Sequence, residues 1–176
     1  MMASSASTPR VFLITGATDG IGKHTAKKLA TDGHRLLVHG RKDSDSDVVR
    51  ELVADLRERG AADVLYLRAE LQDLEEVTAL AEQAAAATDH LDVLINNAGV
   101  FDPPQDRSAQ GLDVTWAVNV VAPFRLTRHL LPLLAKGNEK DKRVVTTSSI
   151  SQSSSLPVDL SEVGVANGAF SSAHSA

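Results

Sequence analysis

The residues able to do chemistry in this chain stand where one local pattern gives way to another. The first group is Thr15-Gly16-Ala17-Thr18-Asp19-Gly20-Ile21-Gly22, with three glycines spaced G-x-x-x-G-x-G directly after the apolar run Val11-Phe12-Leu13-Ile14. Glycine allows a sharp turn and lets a bulky anion come close to the backbone. A helix starting at once after such a turn offers free N–H groups and a partial positive charge, which is chemistry for a pyrophosphate. The spacing is not G-x-G-x-x-G, and an ordinary βα turn also uses glycines. Four more groups follow: Gly40-Arg41-Lys42, Glu70-Leu71-Gln72-Asp73, Asn96-Asn97-Ala98-Gly99 and Ser148-Ser149, with Asn119 standing among valines.

Positioning these groups requires alternating strands and helices. Val11 to Thr15 reads as a strand buried on both faces. The helix after it carries Ile21, Ala26, Leu29 and Ala30 on one side and is stopped by Gly33. Arg35–His39 is a second strand, Val64–Leu67 a third, Leu91–Ile95 a fourth and Lys142–Thr147 a fifth. Helices are expected over Asp47–Arg59, with Val48, Leu52, Val53 and Leu56 inward, and over Leu74–Thr88, with Leu74, Val77, Leu80 and Ala81 inward. A long helical stretch runs from Gln110 to Lys136, and Pro123 and Pro132 predict a kink or break at each. The fold class is therefore α/β: a Rossmann-type, doubly wound parallel sheet of five strands with right-handed crossovers.

In such a sheet ligands sit at the carboxyl ends of the strands, and all the groups above fall there. The tip of the second strand faces an adenosine ribose. An acid there accepts from a 2′-hydroxyl, whereas a base pairs with a 2′-phosphate. The chain offers Arg41 and Lys42 at that point, with Asp43 later, which favours NADP over NAD; solvated loop charges are the alternative. Glu70 or Asp73 could accept from the adenine amino group, and either could equally cap the next helix. The amides of Asn96 and Asn97 can bridge strands, and Ala98-Gly99 lets a flat ring pass close to the backbone. Asn119 also fits a hydrogen-bonding core residue.

Composition narrows the class. The chain has 176 residues, 43% of them hydrophobic and 23% charged, which suits one domain with a real core. Aromatics are only 3%, so that core is aliphatic. A net charge of −5 without basic runs argues against a nucleic-acid surface. No cysteine excludes disulfides and thiolate chemistry, and the six histidines lack ligand spacing, so no metal is expected. No apolar run approaches the ~18 residues of a membrane span, and a cytoplasmic protein is expected. Residues 1–9 have no signal-peptide core and read as a disordered lead-in, residues 10–150 as the nucleotide-binding domain, and residues 151–176 as a loop or disordered tail.

From Val11 to about Ile150 the chain resembles the short-chain dehydrogenase/reductase family. Thr15-Gly16-x-x-x-Gly20-Ile21-Gly22 matches its cofactor motif, and Asn96-Asn97-Ala98-Gly99 its second signature. Asn119 falls where the family has its structural and proton-relay Asn, and Ser149 at the site of its catalytic Ser. The basic residue at Arg41 resembles the NADP-dependent, retinol-dehydrogenase-like branch, while Glu70 stands where the family usually has Asp. The resemblance implies a cofactor set of Gly16, Thr18, Asp19, Gly20, Ile21, Gly22, Arg41, Lys42, Glu70, Leu71, Asn97, Ala98 and Gly99, and hydride transfer between NADP(H) and an alcohol or carbonyl substrate. Ser149 would hydrogen-bond the substrate oxygen and Asn119 would support a water relay.

The resemblance also requires Tyr-x-x-x-Lys after the serine. The one tyrosine is Tyr66, in the third strand, and no lysine follows Lys142. The expectation is a chain that ends just short of the catalytic tyrosine, without the last strands and substrate lobe. Such a chain would be inactive alone, with one face of the fifth strand uncovered and the family's homodimer in doubt. The alternatives are a non-catalytic NADP-binding or regulatory protein and a non-functional truncated gene product.

Overall fold

The computed structural model describes residues 9–101, 106–138, 140 and 142–149; residues 1–8 of the expected lead-in over 1–9, and the expected tail over 151–176, lie outside them. Five strands form one parallel sheet: β1 (Val11–Ile14), β2 (Arg35–Gly40), β3 (Asp63–Arg68), β4 (Val93–Asn96) and β5 (Arg143–Thr146). Their spatial order is β3-β2-β1-β4-β5, so the chain crosses from one side of β1 to the other between β3 and β4. This reversal makes the doubly wound architecture expected from the alternating pattern, and it opens a crevice at the strand ends beside β1.

The strands read as apolar runs because both faces are covered. Leu13, Leu37 and Leu94 point into a cluster with Val77, Leu80 and Leu126. Phe12, Ile14, Leu36 and Val38 point into the other, with Ala26, Ala30, Leu52 and Leu56. The first face is covered by α3 (Leu74–Ala87) and α5 (Ala122–Ala135), the second by α1 (Gly20–Thr31) and α2 (Asp47–Glu58).

Three local expectations change. Ile21 is not on the inward side of α1 but 67% exposed. Gly22, Ala26 and Ala30 are buried instead, because the first turn of α1 rises past the strand end and only a glycine fits against the sheet there. In α2 the buried valine is Val49, with Val48 only partly covered. The long helix does not begin at Gln110. That residue sits in a turn, where its side chain accepts from the Leu74 N–H (3.1 Å) and donates to Asp73 (3.0 Å). Helix starts at α4 (Val114–Trp116), whose N-cap Asp113 accepts from the Trp116 N–H at 2.8 Å.

No break occurs at Pro123 or Pro132. The irregularity is a π-helical turn over Ala117–Val121, continuous with α4 before it and α5 after it. Pro123 has no N–H to give the Asn119 carbonyl four residues back, and the ladder widens so that the Ala122 N–H reaches the Ala117 carbonyl. Pro132 lies within α5, which runs on to Ala135.

At the amino edge of the sheet a buried carboxylate does the joining. Asp92 is 2% exposed and accepts from the Val11 N–H (2.8 Å) and the Asn138 N–H (2.7 Å), linking β1, β4 and the turn before β5. An alanine would leave the buried Val11 N–H unsatisfied and take from the Asn138 N–H its partner. We predict that Asp92→Ala lowers the unfolding free energy by about 2–4 kcal/mol in urea titrations. A change within about 0.5 kcal/mol, the range of an ordinary surface substitution, would remove this joint from the stability of the sheet.

Candidate active site

At the carboxyl edge the site grows from the end of β1. Thr15 is 2% exposed, and its Oγ1 accepts the N–H groups of Asn97 and Ala98, each at 3.0 Å. The Asn97 amide answers by donating to the carbonyls of Thr15 (2.9 Å) and Gly16 (3.3 Å), and its Oδ1 accepts from the Thr147 hydroxyl at 3.4 Å. Asn97 thus bridges the ends of β1, β4 and β5, as an amide at that position can. Gly16 has a φ of +64°, and a Cβ on it would stand 2.9 Å from the Ala98 Cα. A Cβ on Gly22 would stand 2.3 Å from the Gly16 carbonyl oxygen and 2.5 Å from the Asn97 amide nitrogen. Those two glycines are therefore required by packing as well as by the turn.

Gly20 differs. Its φ is +51°, and a Cβ there would meet nothing within 4 Å. It opens α1, and the N-cap Asp19 accepts its N–H at 2.7 Å. The middle glycine thus faces open space at a helix N-terminus, where a phosphate can approach.

Two clefts lie along this edge. The larger, about 610 Å³, is lined by Leu71, Asn97, Ala98, Gly99, Asn119 and Ser149, with Thr15, Val100, Phe101 and Val118 among its other walls. The smaller, about 330 Å³, is lined by Arg41, Glu70, Gln72, Asp106 and Arg107, and it shares Val100 and Val118 with the first. The two are neighbours along one edge. Thr18, Asp19, Gly20, Ile21, Gly22 and Lys42 line neither. Their loop runs between the β1 and β2 ends: Gly16 abuts Asn97 and Ala98, while Thr18 Cγ2 lies 2.6 Å from where a Cβ on Gly40 would be.

Asn119 is exposed on the π turn rather than a core residue. Its Oδ1 accepts the Val100 N–H and its Nδ2 donates to the Val100 carbonyl, both at 2.9 Å. This double bond fixes the segment after Gly99 against the turn and so sets the wall common to both clefts. Of Glu70 and Asp73, the capping role at α3 falls to Asp73. Hydrogen bonds from Gln110 and then from the Glu75 N–H hold its carboxyl below the usual carboxylate range. Glu70 lines the smaller cleft beside Arg41.

Pattern reading passed over His39. This residue is 3% exposed, between the glycine turn and the end of β3. Nδ1 accepts the Gly16 N–H at 3.3 Å, and Nε2 meets the Ala69 carbonyl at 3.0 Å. Both bonds are made only by a neutral ring with its proton on Nε2. The available signal was a lone polar residue in the run Leu36-Leu37-Val38-His39-Gly40, in a strand otherwise covered on both faces.

The sequence model of the family described as short chain dehydrogenase matches residues 10–159. This chain belongs to that family of oxidoreductases. A short-chain dehydrogenase/reductase of Armillaria gallica is 36% identical over 145 residues, covering 81% of this chain and 46% of the relative. Human retinol dehydrogenase 11 is 36% identical over 141 residues, covering 80% of this chain and 43% of the relative. The chain thus spans less than half the length of these curated relatives. Among solved structures, an NADH-dependent reductase complexed with NAD superposes with a TM-score of 0.71 at 27% identity, covering 86% of this chain and 64% of that one. A metagenomic short-chain oxidoreductase in complex with NADP gives 0.69 at 30% identity, covering 88% and 66%. No helix among the described residues of this family member is long and apolar enough to cross a membrane.

Burial brings the His39 imidazole down from 6.5 to about 4, against a smaller opposing pull from the Ala69 carbonyl. Above pH 6.5 the ring is neutral in folded and unfolded chains alike. Between 6.5 and about 4 the unfolded chain takes up the proton first, so acid draws the equilibrium toward unfolding. A shift of that size corresponds to about 3 kcal/mol. We predict that stability from urea titrations, full above pH 6.5, declines by up to this amount as the pH falls to about 4. His39→Gln should flatten that part of the profile. Identical profiles for the two proteins would clear His39 of the effect.

Proposed function

We propose that this edge binds NADP(H) and that the chain carries the cofactor half of an oxidoreductase acting on an alcohol or carbonyl compound. The observation that carries the reading is the placement of Arg41. Its guanidinium lines the smaller cleft with Glu70 and has no hydrogen-bonding or ionic partner among the described residues. A cation left unpaired at the tip of β2 suits a 2′-phosphate, with Lys42 beside it. In this reading Glu70, in the same cleft, takes the adenine amino group, and the open backbone at Gly20 takes the pyrophosphate.

The residues present fit the dinucleotide along the edge from Arg41 to Ser149. When bound, the nicotinamide supplies or takes up the hydride. Ser149, in the larger cleft, hydrogen-bonds the substrate oxygen in this proposal. Asn119 holds the cleft wall through Val100 and supports a water relay. In this proposal the one tyrosine is not the proton donor: Tyr66 lies in β3 and gives its hydroxyl to the Lys42 carbonyl. That bond favours a second reading for the polypeptide by itself, a nucleotide binder without turnover.

Fluorescence titration separates the claims. The chain should bind NADPH more tightly than NADH, and Arg41→Ala should weaken NADPH about tenfold while leaving NADH nearly unchanged. Equal affinities of the unaltered chain for the two nucleotides would remove the case for Arg41 as a phosphate ligand. With NADPH and a panel of carbonyl compounds, no oxidation above buffer is expected. Clear turnover would refute the division between binding and catalysis.

A further inference from the structure

The loop that carries Arg41 and Lys42 leaves β2 under restraint. Main-chain pairing of β2 with β3 runs to the pair Gly40 and Arg68, and the Ala69 N–H still reaches the Gly40 carbonyl at 3.2 Å. Beyond it a side chain takes over. Tyr66 Oη donates to the Lys42 carbonyl at 2.7 Å. The same oxygen stands 2.9 Å from where a Cβ on Gly40 would be, with Thr18 on the other flank, so glycine at 40 is what lets the phenol through. Two residues on, with its side chain on the same face of β3, Arg68 pairs with the Asp43 carboxylate at 3.5 Å. The Ser46 N–H and hydroxyl then close the turn on the Asp43 carbonyl at 3.0 and 2.7 Å.

Neither cation makes a side-chain bond of its own among the described residues. Two adjacent positive side chains on an exposed loop repel each other and gain nothing locally from order. Ordering them when a phosphate arrives has an entropic cost, unless the backbone beneath them is already fixed. Given NADP at this edge, the reading on which this rests, we propose that Tyr66 is a positioning residue for cofactor selectivity. Its hydroxyl fixes the Lys42 peptide and so holds Arg41 and Lys42 ready for a 2′-phosphate. NADH has no group at that place and draws no benefit.

Tyr66→Phe removes one oxygen and keeps the ring, which packs at the margin of the cluster around Val38 and Val64. The expected result is an NADPH Kd raised about 3- to 10-fold, the range of one hydrogen bond, with the NADH Kd within about twofold. In a background with Arg41→Ala and Lys42→Ala together the same change should have no further effect on NADPH, because both groups it positions are gone. Equal weakening of both nucleotides would make Tyr66 merely structural and overturn the proposal. An unchanged NADPH to NADH ratio in Tyr66→Phe, beside a collapsed ratio in Arg41→Ala, would overturn it and leave the NADP reading standing. An unchanged ratio in Arg41→Ala would instead overturn the NADP reading itself. The unaltered chain gives a second measurement that needs no variant. Tyr66 is the one tyrosine, so 13C-labelled tyrosine reports it alone by NMR. Its ring signals should shift with NADPH and stay in place with NADH; equal shifts with both would also overturn the proposal.

Discussion

The amide of Asn97 holds the end of β1 to the end of β4 at the point where both strands stop. A parallel ladder that ends at a sharp turn leaves main-chain groups buried without partners. Here the Thr15 and Gly16 carbonyls accept from the Asn97 Nδ2, and the Thr15 hydroxyl oxygen accepts from the Asn97 and Ala98 N–H groups. The turn at Gly16, with its positive φ, can then leave the sheet without costing the junction its hydrogen bonds. The same amide sets how near α1 can come: its nitrogen and the Gly16 carbonyl occupy the space a methyl group on residue 22 would need. The open helix terminus at Gly20, the clefts beyond it and the position of Thr147 before Ser149 all follow from that one closure.

Electrostatics at this edge work by placement and not by an overall field. The chain carries a net charge of −5, so long-range attraction does not draw a polyphosphate in. The edge itself holds both signs: Asp19 caps α1 at the helix terminus, and Glu70 and Asp106 share the smaller cleft with Arg41 and Arg107. Most other cations nearby are engaged, Arg68 with Asp43 and Glu76, and Arg125 with Glu75. Exposed pairs of this kind add little stability. What they do is neutralise the surroundings, so that the unpaired Arg41 stands out as a local feature. Under the proposed function, discrimination between two nucleotides that differ by one phosphate would rest on the position of a few atoms in the loop after β2.

The succession of strands and helices and the layered parallel sheet were legible because they depend on periodicity. Aliphatic runs of four to six residues, separated by helices with one apolar side, leave a doubly wound sheet as the natural solution. The glycines and Asn96–Gly99 were legible for a different reason, namely residue types that packing alone seldom needs at strand ends. What escaped were side chains whose role is set by partners far along the chain. His39 bonds residues 16 and 69, Thr15 bonds 97 and 98, and Tyr66 bonds 42. None of these pairings leaves a periodic trace. Ile21 misled because its helical position was read without the sheet, against which only Gly22 fits. Pro123 misled because a missing N–H has two remedies, a break or a widened turn, and tertiary packing at Val100 selects the second.

The two ends of the edge are unequally supported. The glycine turn and the Arg41 loop stand on β1, β2 and β3, whose faces bury Leu13, Ile14, Leu36, Leu37, Val38 and Leu67. Ser149 follows β5, in which all four residues are exposed, with Val144 at 41% and Val145 at 43%. Among the described residues β5 pairs on one side only, with β4; its start is tied to Asp92 and its end to Asn97 through the Thr147 hydroxyl. An edge strand with two half-exposed valines gains little from burial and fixes its carboxyl end less firmly than a central strand does. The glycine-turn end is therefore held by the sheet's interior, whereas Ser149 follows an edge strand. In the proposed function hydride transfer needs both ends in register to within a fraction of an ångström. Under that proposal the nucleotide would rest on the core and the substrate oxygen on the end of an edge strand, so register between β4 and β5, closed by Asn97 and Thr147, is what would join the two.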